Sequence, residues 1–90
     1  MTQHPLHDRI HSLLKETFAP NSLEVIDESP AHTGHIGAQD YPSGGSHWRV
    51  VMSSTAFVGV PLVKRHRMVY EALSPVIADI HALSLSLKAE

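Results

Sequence analysis

LVKRHRMVYEALSPVIADIHALSLSL, Leu62 to Leu87, changes its hydrophobic period partway along. From His81 the pattern alternates strictly. His81, Leu83, Leu85 and Leu87 share one face and Ala82, Ser84 and Ser86 the other, which predicts a half-buried strand. Upstream the period is helical. At about 100° per residue, Leu62, His66, Val69, Tyr70 and Leu73 form one arc, Lys64, Arg67 and Glu71 lie opposite, and Arg65 sits on a flank. On this projection His66 is expected to point at the core and Lys64 and Arg67 at water. Ser74-Pro75 stops the helix and can open a short one reaching about Asp79.

Working outward, Phe57 in STAFVGVPL reads as the anchor of a turn, with Gly59 ahead of Pro61. HWRVVMS, His47 to Ser53, predicts a strand with Trp48, Val50 and Met52 on one face, and LEVID, Leu23 to Asp27, a shorter one. Leu6, Ile10, Leu13, Leu14 and Phe18 recur at helical spacing behind Pro5, which gives a first helix over roughly residues 5 to 17, ended by Pro20. The segment from Glu28 to Ser46 has two prolines, four glycines and few apolar residues. It reads as a loop far longer than two neighbouring strands need, a length that usually serves function. The expected order is helix, strand, strand, helix, short helix, strand. That order defines a small α+β domain, with a three-stranded sheet and helices packed on one face.

Ninety residues allow one domain, 1–90, and 42% apolar content fits a soluble globular chain. There is no run of 18 apolar residues and no signal-peptide core in MTQHPLHDRI, so a cytoplasmic protein without membrane contact is expected. With no cysteine, disulfides and thiolate metal sites of the chain's own are excluded. Formal net charge is −2, and Lys64 to Arg67 hold three of the seven basic side chains. The other 86 positions set four Lys or Arg against nine Asp or Glu, so any nucleic-acid contact must be local. Eight histidines stand out, because imidazole is the commonest metal ligand. Catalysis finds little support. Ser46 and His47 are neighbours at a strand start whose side chains point to opposite faces, and the chain has no phosphate loop or H-E-x-x-H. No enzyme is expected.

Five short motifs occur in order: ES-x-x-H (Glu28, Ser29, His32), S-H-aromatic (Ser46, His47, Trp48), F-x-G (Phe57, Gly59), RHRMVY (Arg65 to Tyr70) and HAL (His81 to Leu83). Together they resemble the BolA family over roughly residues 6 to 88. The resemblance implies a fold like the type II KH domain, in agreement with the element order. The KH backbone-gripping G-x-x-G between the helices is missing, since FVGVPL offers only Gly59. The one G-x-x-G, Gly34 to Gly37, lies in the wrong loop.

The resemblance further implies a monothiol glutaredoxin as partner and a [2Fe–2S] cluster shared with it and glutathione, none being expected on the isolated chain. The implied ligands are His32 and His81, with His35 as the reserve on the same loop. His47 is a weaker candidate, because strand pairing fixes its position. The isolated chain is expected to be a monomer or weak homodimer. The resemblance also carries a transcriptional-regulator alternative, in which Lys64, Arg65 and Arg67, with Arg49 added to the patch, contact DNA phosphates. The bland alternatives are a solvated helix face for the basic cluster and a hydrogen-bonded strand histidine for His81.

Overall fold

The computed structural model describes residues 5–28 and 47–90. Helix α1 spans Pro5–Phe18, strand β1 Ser22–Asp27, strand β2 His47–Ser53, helix α2 Leu62–Ala72 and strand β3 Ala82–Lys88. Single 3-10 turns lie at Thr55–Phe57 and Ile77–Asp79. The second of these is the expected short helix, reduced to its last turn. Among the described residues, no helix is long and apolar enough to cross a membrane.

Helix α1 buries Leu6, Ile10, Leu14 and Phe18, one residue per turn on a single stripe. It stops where Ala19 turns to a positive φ of 43° ahead of Pro20, whose ring cannot continue a helix. The sheet order is β1-β2-β3. Strands β1 and β2 pair antiparallel, whereas β2 and β3 pair parallel. A parallel neighbour requires a crossover, and α2 supplies it. The alternation of β2 and β3 is in phase, since Trp48, Val50 and Met52 stand beside Leu83, Leu85 and Leu87. Val25 and Leu23 extend the last two rows onto β1. Helix α1 lies against β1, α2 against β3, and the two helices touch, so both cover this apolar face. Trp48, Phe57, Ile10, Leu14 and Met52 are the largest side chains sealed in the core.

Two readings of the sequence are corrected here. First, α2 is rotated from the expected arc. Val69 and Leu73 are buried and Met68 and Ala72 pack beside them, but Leu62 is 60% exposed, Tyr70 46%, and His66 lies in solvent. Arg65, not His66, turns inward. Its Nε donates to the Val60 carbonyl at 2.7 Å and its Nη1 to the Leu87 carbonyl at 3.2 Å. Second, β3 begins at Ala82, so the alternation of the leucines does not extend to His81, which is exposed at the bend before the strand.

Ser54 joins three parts of the chain. Its fully buried side chain donates to the Phe18 carbonyl at 2.8 Å and accepts from the Ala56 amide at 3.1 Å, while its amide donates to Lys88 O at 3.0 Å. Ser54→Ala removes a helix cap and strands a carbonyl at the end of α1. It should cost roughly 1–2 kcal/mol. Urea unfolding checks this, and a change within about 0.3 kcal/mol would show that water satisfies both groups equally well.

Candidate functional site

The end of the sheet where β2 and β3 begin gathers the chemistry. His47 is the first residue of β2, half-buried and in register with Ala82, and His81 is the residue just before β3. Their rings meet edge to face, with centroids 5.4 Å apart and planes at 67°. The Glu28 amide donates to the His47 carbonyl at 2.8 Å, which brings the exit of β1 to the same corner. The segment carrying His32 and His35 therefore leaves the described fold at Glu28 and rejoins it at His47. His32 and His35 themselves lie outside the described residues. Parallel pairing is what brings His47 and His81 together. Sequence spacing of 34 residues gave no sign of it, and His47 rises from a weaker candidate to the immediate neighbour of His81.

Imidazole is a good ligand for iron, zinc and copper, and a chain without cysteine has no thiolate to offer. An iron–sulfur cluster at this corner would rest on imidazole nitrogen from this side, as two of the four ligands do in Rieske-type centres. The exposed ring of His81, propped by a second imidazole on a paired strand, fits that donor role. Among the described residues, no three His, Asp or Glu side chains converge on one point, so a closed metal site does not form from the described scaffold alone.

The basic residues are dispersed rather than gathered. Arg49 spends its charge on Glu28, with Nε to Oε2 at 2.8 Å. Arg65 is half-buried, its guanidinium engaged by the two carbonyls described above. Lys64 and Arg67 are exposed on α2. Beside Arg67, the outer face of the helix is a shallow groove lined by Leu62, Val63, His66, Arg67 and Tyr70. It is a largely apolar surface, unlike the dense cationic face that phosphates favour.

Comparison with known proteins agrees with this architecture. The sequence profile of the BolA-like protein family matches residues 14–90. The DNA-binding transcriptional regulator BolA of Escherichia coli K12 is 37% identical over 81 residues, covering 89% of this chain and 71% of that one. An uncharacterized protein in the cobS 5' region of a Sinorhizobium species is 44% identical over 81 residues, covering 89% of this chain and 86% of that one. Among solved structures, the BolA domain of SufE1 from Arabidopsis thaliana superposes with a TM-score of 0.81 at 35% identity, covering 97% of this chain and 94% of that chain. Profile, sequence and fold coincide over nearly the whole length, and the chain belongs to the BolA-like protein family.

Proposed function

We propose that this chain is a cytoplasmic adaptor and not an enzyme. It binds a monothiol glutaredoxin and carries with it a [2Fe–2S] cluster as cargo, in iron–sulfur trafficking or iron-responsive regulation. The observation that supports this reading is the His81 ring, exposed at the lip of the sheet and braced by His47 at 5.4 Å between centroids. His81 is the fixed ligand, and His32, with His35 in reserve, comes from the segment that enters at the same corner. The partner's active-site cysteine and glutathione contribute the thiolates that this chain lacks. Neutral imidazoles in place of two thiolates leave the cargo less negative than an all-thiolate cluster. The test is anaerobic co-purification with a monothiol glutaredoxin from the same organism. A brown complex of the two chains is expected, with visible absorption. A colourless complex, or none, would overturn the reading.

A second reading rests on the relative named as a DNA-binding regulator and on the exposed Lys64 and Arg67. With Arg65 and Arg49 engaged within the chain, two cations remain on this face to neutralise phosphates. If the chain binds DNA through α2, log K against log salt should fall with a slope of roughly −2, and Arg67→Ala should reduce it by about one unit. A slope near −3 would mean that Arg65 leaves its carbonyls to bind phosphate.

A further inference from the structure

We propose that His7 and His11 on α1 form a two-imidazole chelate for a divalent transition ion, with copper(II) the tightest binder. The pair belongs to HDRIH, a His-x-x-x-His spacing that places both side chains on one face of a helix, one turn apart. Helical His-x-x-x-His is the same placement by which zinc peptidases hold their metal. Both residues are half-buried within α1, and the helix is pinned by Leu6, Ile10 and Leu14, so the pair stands on a rigid element.

The rings are already stacked, with centroids 6.2 Å apart and planes inclined by 23°. Two imidazoles at neighbouring positions of one tetragonal copper(II) ion, at metal–nitrogen distances of about 2.0 Å, have centroids roughly 4.5 Å apart. Chelation therefore draws the rings closer by roughly 1–2 Å and turns them out of their stack until both in-plane lone pairs meet at the ion, a change of side-chain rotamers on an unchanged helix.

Asp8 points to a ligand independently of spacing. Its Oδ1 lies 3.0 Å from His7 Nδ1. With Nδ1–H donating to the carboxylate, the lone pair of the neutral ring sits on Nε2. This is the outer arrangement that nearly every metal-binding histidine has, and it fixes the tautomer and the orientation of the ring. Imidazole donors suit Zn, Cu and Ni, and copper(II) heads the affinity order of the divalent first-row ions. Two protein ligands leave the remaining positions to water, which makes the site an open, exchangeable one. It requires no thiolate and no partner, and it is built on α1 from residues other than the strand-end pair His47 and His81.

The only tryptophan provides the readout, because the Trp48 ring centroid lies 6.4 Å from that of His7. Paramagnetic copper(II) bound at His7 should quench its fluorescence. The titration uses the full chain with His4→Gln in every sample, so that an imidazole three residues before His7 cannot substitute. Quenching should saturate at one equivalent of copper(II), with nitrogen hyperfine splitting in the electron paramagnetic resonance spectrum. It should be lost in His7→Gln and in His11→Gln and retained in His81→Ala. Asp8→Ala should weaken binding about tenfold. Circular dichroism on each variant monitors the fold, and His11→Gln, which leaves the His7–Trp48 contact in place, decides the matter if His7→Gln disturbs packing. Saturable quenching that survives in His11→Gln, or that disappears in His81→Ala, would overturn the proposal. So would the absence of saturable quenching in the parent chain.

Discussion

Replacing Arg65 by alanine is expected to lower the unfolding free energy by roughly 2–3 kcal/mol, whereas Arg67→Ala, two residues on, should change it by less than about 0.5 kcal/mol. The two arginines look equivalent in the sequence, yet they make different contacts. The Arg65 guanidinium holds the Val60 carbonyl at 2.7 Å and the Leu87 carbonyl at 3.2 Å, joining the turn before α2 to the penultimate residue of β3. Charged donors to carbonyls are the stronger class of hydrogen bond, and Leu87 is only 6% exposed, so its carbonyl has limited access to replacement water. Arg65→Lys should recover little, because a single ammonium cannot reproduce the spread of the planar fork across two acceptors. His66→Ala should be as mild as Arg67→Ala, because its ring lies in solvent. Urea unfolding of the four variants checks this. Equal losses at Arg65 and Arg67 would show that water replaces the clasp at no cost, and a loss at His66 alone would restore the arc drawn from hydrophobicity.

That contrast shows what the sequence could carry and where it stopped. The alternation of Leu83, Leu85 and Leu87 and the stripe of Leu6, Ile10, Leu14 and Phe18 identified β3 and α1, because each turns one apolar face of a regular element to the core. Helix α2 was harder, because it offers two overlapping apolar arcs. Leu62, Val63 and Tyr70 compete with Val69, Leu73, Met68 and Ala72, and the second set wins where α2 meets β3. Arg65 belongs to the winning arc. It is half-buried and its guanidinium reaches two carbonyls, a behaviour that a polarity scale counts as exposure. The position of His47 beside His81 depends on the parallel pairing of two strands whose registered residues are 35 apart, which no local pattern encodes. Ser54 is a similar case, since its partners at Phe18 and Lys88 come from opposite ends of the chain. The ligand assignment at His32 and His35 falls outside the described residues and rests on the resemblance alone.

The largest functional effect is expected at His81. If the glutaredoxin complex carries its cluster as proposed, His81→Ala should abolish the mixed His/Cys visible spectrum, leaving the fold intact because the side chain is exposed at a bend. His32→Ala should only weaken the spectrum, because His35, three residues along, offers a second imidazole. The double change at His32 and His35 should then remove the signal as fully as His81→Ala. The structure adds a fourth imidazole to this comparison. His47 touches the His81 ring, so His47→Ala tests whether the contact merely orients His81 or competes for the ligand role. A positioning role predicts a cluster that still forms but is lost more readily, since outer contacts of a ligating histidine are commonly worth 10–100-fold in metal affinity. Circular dichroism separates these outcomes from unfolding, and glutaredoxin binding measured without the cluster separates them from loss of the partner. An undiminished His-ligated spectrum in His81→Ala would remove His81 from the ligand set. Because His81 is the one proposed ligand that the described fold positions, the adaptor reading would then lose its structural support, and the nucleic-acid reading through Lys64 and Arg67 would take its place.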